Sequence, residues 1–285
     1  MILQANKEQI SAYSEFAYTL SQDFTTSSFP TYLDGIKTKE DFLRIVHDYR
    51  NGKYPNSEIL LYSEEGVVLG WIHYYWWAED RYIGFEAFYT AKNAEKAIDE
   101  FLTYANRRFN GYQIDFGFPA ENREALSHLA EIGFVLAEAS DVFALHFEKY
   151  RPFEEDPNVV VVDESNWKDF RALHDKEEMY WNSDRLYRAL LKKTSNEWVM
   201  FLYYKENRAI GNIYFCYAGG MMEIFGMDGE QQEACMKPLL VKALNRAKAD
   251  GMQHLTFFAE GIESKIAEDL GLKYITQYKM FRNRA

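Results

Sequence analysis

The predicted elements run through this chain twice in the same order, and that duplication limits the fold more than any other feature of the sequence. Phe101-Leu102 in the first half is answered by Leu239-Leu240 in the second. Ala130-Glu131-Ile132-Gly133-Phe134 is answered by Ala267-Glu268-Asp269-Leu270-Gly271-Leu272. Leu102 and Leu240 are 138 residues apart, and so are Gly133 and Gly271. Equal spacing across two separate elements argues for a repeat of about 140 residues, so each half carries its own core. A chain of 285 residues with 47% hydrophobic content has the material for two. The charged, proline-bearing segment EKYRPFEEDPN (148–158) lies between two apolar runs and is the expected boundary, giving units 1–150 and 151–285.

Within the first half, Asn6 and Thr38 read as helix N-caps. Apolar residues follow each at helical spacing: Ile10, Tyr13, Ala17 and Leu20, then Phe42, Ile45, Val46 and Tyr49. Gly52 closes the second helix. Strands are predicted at 58–63, 67–77 and 82–89, the first two joined by a tight Glu-Glu-Gly turn, as an antiparallel meander. A helix over 94–108, a strand at 112–118, a helix over 123–132 ended by Gly133, and a final pair of strands complete the half. The second half repeats this with VVVV (159–162), helices near 166–175 and 184–193, strands WVMFLYY, AIGNIYFCYA and MEIFG, a long helix, HLTFFA, a short helix and YITQYKMFR. The expected class is α/β.

Composition removes several functions. The formal net charge is −12, and no Lys/Arg cluster supplies the basic face that a phosphate backbone needs, so a nucleic-acid role is not expected. A cationic or amine-bearing small molecule suits the charge better, although acidity also serves solubility alone. Cys216 and Cys235 have no paired spacing, and the six histidines lack metal-ligand spacing, so neither a disulfide framework nor a metal site is expected. The N-terminal MILQANKEQISAY lacks the basic start and apolar core of a signal peptide, and no apolar run approaches the roughly 20 residues of a membrane span. The expected location is a reducing cytoplasm, without membrane contact.

The strand, loop and long helix at 222–251, followed by a strand, a short helix and an A-x-x-x-G-[FL] ending, resemble the GNAT superfamily of acyl-CoA N-acetyltransferases, duplicated in tandem over nearly the whole chain. The resemblance implies two GNAT-like domains, each a mixed, mostly antiparallel sheet flanked by helices. It also implies acetyl-CoA as co-substrate and a primary amine as acceptor. GNAT proteins hold the CoA pyrophosphate on a Q/R-x-x-G-x-G/A loop at the start of the long helix, where unpaired backbone amides and the helix dipole favour an anion. Aligned on Leu239-Leu240, that motif falls on Gln231, Gln232, Glu233, Ala234, Cys235 and Met236, with Lys237 next. Gln231 matches the first position, Ala234 is small, and Met236 departs from the pattern. The same alignment in the first half reaches Asn93-Ala94-Glu95-Lys96-Ala97-Ile98 and retains nothing diagnostic, so the second half is the expected cofactor site. The family's asparagine and tyrosine on the short helix map to Glu260 and Ala267 here, and to Asn122 and Leu129 in the first half.

By the same resemblance, Glu223, in the strand before the loop, takes the catalytic position of a base receiving the acceptor's proton. Strand alternation turns it away from Met222 and Ile224, towards either the acceptor or solvent. Glu86 is its expected counterpart in the first half. Tyr180 and Trp181, between the first two helices of the second half, are in place to line an acceptor pocket or to pack against a neighbouring element. HYYWW (73–77) has the make-up of a ligand-binding platform, but it reads better as structural, with Tyr74 and Trp76 on one face and Tyr75 and Trp77 on the other. Cys235 at a helix start has the position of an activated thiol or of a small buried one. Lys237 is placed either to meet a CoA phosphate or to point into solvent. The alternative to transfer is a binding or structural protein that kept the tandem fold and lost catalysis.

Overall fold

The computed structural model describes residues 1–28, 32, 36–175, 182–192, 197–230 and 232–284. They form two compact units, residues 1–140 with 276–285 and residues 141–275. The first unit runs β1 (Ile2–Gln4), α1 (Lys7–Leu20), α2 (Lys39–Arg50), β2 (Ser57–Glu64), β3 (Val67–Trp77), β4 (Tyr82–Thr90), α3 (Ala94–Arg108), β5 (Gln113–Pro119), α4 (Arg123–Glu131) and the start of β6 (Val135–His146). The second contains the rest of β6, then β7 (Val159–Val161), α5 (Trp167–His174), α6 (Ser183–Lys192), β8 (Glu197–Lys205), β9 (Arg208–Ala218), β10 (Met221–Gly229), α7 (Gln232–Ala249), β11 (His254–Ala259) and α8 (Ile262–Asp269). The last strand, β12 (Lys273–Arg282), returns its C-terminal part to the first unit.

Local chemistry accounts for most of these boundaries. Asn6 and Thr38 each form a full capping box, with Gln9 and Asp41 as the reciprocal partners. The β2–β3 hairpin closes through Glu65 and Gly66 at φ +50° and +81°, the left-handed pair that a two-residue loop needs to follow the strand twist.

In the first unit, β1, β2, β3 and β4 pair antiparallel in sequence, β4 pairs parallel with β5, and β5 pairs antiparallel with β12. Alternation divides the side chains. Leu60, Tyr62, Ile72, Tyr74, Ile83 and Phe88 join Ile98, Phe101 and Leu129 of α3 and α4. Ile59, Leu61, Trp71, Ala87 and Tyr89 join Ile10, Ala17, Phe42 and Val46 of α1 and α2. A buried charge lies within this packing: the Glu58 carboxylate, 8% exposed, accepts from the Tyr74 and Tyr104 hydroxyls, each at 2.8 Å, and from Arg108 at 2.6 Å.

The second unit repeats the plan: β7, β8, β9 and β10 pair antiparallel, β10 pairs parallel with β11, and β11 pairs antiparallel with β6. Met222, Ile224 and Met227 face α7 and α8, while Trp198, Met200, Tyr214 and Cys216 face α5 and α6.

Besides adding the short β1, the structure departs from the sequence reading in two places. The first half ends in one strand, β6, where a pair is expected. The division also falls at 140/141, with residues 276–285 assigned to the first unit, whereas the sequence places it at 150/151. Both departures have one cause. Residues 141–146 complete the ladder on β11, and residues 278–282 complete the ladder on β5, so each unit takes its last strand from the other half of the chain.

Candidate functional site

In the second unit, β10 and β11 run side by side from Met221 and His254 to Ile224 and Phe257, and their ladder stops there. At the same level Phe225 is a bulge, since Ile224 pairs with Phe215 of β9 and Gly226 with Tyr214. The extra residue turns β10 away from its neighbour. At Gly226 a Cβ would lie 2.5 Å from the Tyr214 ring, so only glycine lets the strand cross there. Beyond Ile224, the backbone groups that β10 presents along this edge have no ladder partner on β11. α7 begins three residues after β10 ends, so its N-terminal end follows directly from this divergence.

The first turn of α7 is not a phosphate loop of open glycines. Cys235 is fully buried, and its Sγ would be 2.1 Å from a Cβ on Gly229 and 2.8 Å from one on Gly211. The glycines here serve the close seating of a thiol. The side chains of Cys235 and Met236 belong to the core that α7 forms with the sheet, so only their backbone is left to meet a ligand, and Cys235 is a buried thiol. Ala234 is exposed. Lys237 is also exposed, with its ammonium 3.7 Å from Asp269. Pro238 has no N–H to offer the Ala234 carbonyl one turn back, leaving that acceptor without its helical bond. Gln231 and the side chains of Gln232 and Glu233 lie outside the described residues.

Charges of both signs gather near this end. Arg208, at the start of β9, bonds Glu230 at 2.8 Å. Glu263, in the first turn of α8, accepts the Glu260 backbone N–H at 2.9 Å. Burial, with Asp228 and Glu260 nearby, pushes its carboxyl up to about 7. The sequence reading singled out neither Arg208 nor Glu263. Glu263 was legible as an acid one position inside a short helix whose expected asparagine is replaced by Glu260.

Glu223 is half-buried and lies in register with Cys216 on β9 and Thr256 on β11. Burial first, and the Glu223 charge second, push the Cys216 thiol up to about 12. Cys216 belongs to the cluster under α5 and α6, so Glu223 shares the face of the sheet opposite α7. His174 is buried on that face between Phe170 and Tyr214, with ring centroids at 5.1 and 4.9 Å. Asn212 is also fully buried, and neither its amide nitrogen nor its oxygen has a partner among the described residues. Tyr180 and Trp181 lie outside the described residues.

The corresponding region of the first unit is closed. β4 and β5 pair only at Tyr82–Gln113 and Ile83–Ile114. Aromatic rings then fill the divergence: Phe85 stacks on Phe116 at 4.7 Å, and Phe88 lies 5.4 Å from Phe116 and 5.9 Å from Phe118. On the opposite face, Tyr75 covers Gly84, and a Cβ at Gly117 would be 1.6 Å from the Tyr278 hydroxyl. A void of about 70 Å3 is left. At the start of α3, the Glu64 carboxylate accepts from Tyr62 and from Asn93 at 2.8 Å, with Lys96 at 3.6 Å. The Tyr62 hydrogen bond, followed by the Lys96 charge and the Asn93 bond, holds it below the usual carboxylate range, so the chain's own anion sits at this helix start. Asn122 caps α4 and donates to the Ser27 carbonyl, a structural role.

Register also corrects one correspondence. The first-unit bulge is Glu86, between the pairs His73–Ala87 and Tyr74–Phe85. Bulge therefore matches bulge, setting Glu86 level with Phe225, and Glu223 level with Gly84. Along the same register, Ile224, Met227 and Ala259 stand where the first unit has Phe85, Phe88 and Phe118.

No protein-family model matches the sequence, nor does any curated protein sequence. Among solved structures, a GCN5-related N-acetyltransferase from Sphaerobacter thermophilus aligns over 99% of this chain and 95% of its own, with a TM-score of 0.68 and 10% identity. A tandem GNAT protein from the clavulanic acid biosynthesis pathway aligns over 99% and 97%, with a TM-score of 0.60 and 9% identity. A GCN5-related glucosamine N-acetyltransferase region of a fungal multi-domain GH3 β-N-acetylglucosaminidase aligns over 99% of this chain and 38% of that longer one, with a TM-score of 0.61 and 10% identity. At such identities the likeness is one of fold. The chain has the α/β fold of the GCN5-related N-acetyltransferases, in tandem.

Proposed function

We propose that the protein moves an acetyl group from acetyl-CoA to a primary amine, and that the reaction takes place in the second unit. The observation that carries this reading is the divergence of β10 and β11 at the Phe225 bulge beside the start of α7, with aliphatic side chains in place of the first unit's aromatic plug. An extended thioester arm placed along β10 beyond Ile224 lies against backbone that the β11 ladder does not cover, and N–H groups there polarise the carbonyl. The pyrophosphate lies at the first turn of α7, where backbone amides replace the missing glycine loop and Arg208 and Lys237 supply positive charge. The amine approaches from the face of Glu223. Its nitrogen forms the bond to the carbonyl carbon while Glu223 takes the ammonium proton, directly or through a water. The C–S bond then breaks, and the thiolate takes a proton from solvent. The fungal neighbour's glucosamine is an acceptor of this chemical kind.

A second reading, a tandem GNAT-fold binding protein without transfer, is favoured by Asp228, Glu230 and Glu263 near the same helix start and by Cys235 seated on Gly229. Calorimetric titration of the full chain with CoA and acetyl-CoA separates the two. Saturable binding supports transfer, and an absence of heat together with an unchanged unfolding temperature at millimolar CoA rejects it.

A further inference from the structure

The first unit contains a cavity beside its plugged divergence. It measures about 420 Å3 and lies on the α2 face of the sheet. Its floor is His73, Tyr75 and Trp77, alternate residues of β3 that share a face, and Tyr54 and Pro55 from the α2–β2 loop form a wall. Glu86 reaches it from the bulge of β4. Because the bulge residue stands outside the ladder, its exposed carboxylate points away from the strand pairing.

The charges lining this cavity do not cancel. Lys53, at its edge, holds its ammonium 2.7 Å from Asp48. His73 is 4% exposed, and burial lowers its pKa, with Glu86 opposing, so the ring is neutral. Glu86 has no ion-pair partner among the described residues, although its field reaches Tyr75 as well as His73. The rings of the aromatic floor pack on one another: Trp77 stacks on Tyr82 at 5.1 Å and 25° and tilts against Tyr75 at 5.1 Å. A single unpaired carboxylate above fixed π-faces suits a cation with an apolar body, and the volume suits a small organic molecule.

We propose that the first unit is a ligand-binding half whose cavity holds a small organic ammonium ion, with the charge on Glu86 and the body against Tyr75 and Trp77, and leaves it unacetylated. The second clause follows from the plug. Phe85 on Phe116, with Tyr278 over Gly117, occupies the gap between β4 and β5 through which an acyl donor would have to reach this cavity. The inference stands apart from transfer in the second unit and survives if that reading fails.

The test is calorimetric titration of the full chain at pH 7 with benzylammonium and n-butylammonium, and with benzyl alcohol as the neutral counterpart. Wild type and Glu223→Gln should bind one or both amines, with benzyl alcohol and the Glu86→Gln variant each weaker by about ten-fold or more, the loss of one charge-assisted contact. An unchanged thermal midpoint for Glu86→Gln shows that the exposed bulge substitution leaves the fold intact. Three results overturn the proposal: no heat with either amine up to about 10 mM, equal affinity for amine and alcohol, or binding that falls in Glu223→Gln and persists in Glu86→Gln. The last places the amine in the second unit. Acetylated benzylamine that disappears only in Glu86→Gln contradicts the clause on transfer.

Discussion

Glu263 and Glu223 are carboxylates of one unit in different surroundings, and each supports a measurement. Burial raises Glu263 from an ordinary 4.5 to about 7, so between those values the folded chain keeps a proton that the unfolded chain has released. Stability from the neutral carboxyl is therefore complete at low pH and declines as pH rises from about 4.5 to 7. Glu263→Gln removes this dependence. Denaturant titrations should find the variant gaining on wild type between pH 5 and pH 8, by at most about 3 kcal/mol, the upper bound set by the size of the shift. A constant difference across that range means that Glu263 does not titrate there. For Glu223, replacement by Gln should lower turnover at saturating amine by about a hundred-fold or more, while CoA affinity stays nearly constant. Equal turnover makes Glu223 a bystander to the reaction. Glu86→Gln should leave turnover close to wild type, because Glu86 belongs to the first unit and the proposed chemistry to the second.

At the scale of elements, helix α7 shows what the sequence offered and what it withheld. Cys235, Met236, Leu239, Leu240, Ala243, Leu244 and Ala247 form a continuous apolar stripe at helical spacing, and all are buried. The family's glycine pattern, laid over the same positions, meets that stripe at Met236, where the chain keeps a buried core side chain. Restoring the family pattern with Met236→Gly therefore removes a core side chain and should cost about 2–5 kcal/mol, more than loss of helix propensity alone. Ala234→Gly touches only an exposed position and should cost up to about 1 kcal/mol. If the α7 start holds pyrophosphate, calorimetry should find CoA bound more tightly by the Ala234→Gly chain; equal or weaker binding counts against that placement. Caps and hairpins were legible because their causes lie within four residues, as at Asn6, Thr38 and Glu65-Gly66. The bulges were not. One extra residue in a strand leaves its alternation looking normal, so the sequence alone pairs Glu86 with Glu223 and hides the cavity over Tyr75 and Trp77, a pair whose facing the sequence had right.

For the whole molecule, the exchanged strands decide which pieces can fold. A fragment of residues 151–285 lacks residues 141–146, the ladder partner of β11, whereas residues 141–275 contain every strand of the second unit. The 151–285 cut should give a non-cooperative, aggregation-prone product, and 141–275 a single unfolding transition by circular dichroism. Similar behaviour from both fragments would show that β6 is dispensable. This part of the architecture depends on contacts between residues more than a hundred positions apart, which no local pattern announces. Its consequence reaches protein synthesis. The ribosome finishes β5 at Pro119, yet the segment that pairs with it, Tyr278–Arg282, is made roughly 160 residues later, about 8–30 s at ordinary elongation rates. The second-made unit has all its strands by Ile275, so the half translated first is the half that closes last. A premature stop at position 276 would leave the unit made first without the strand that pairs with β5.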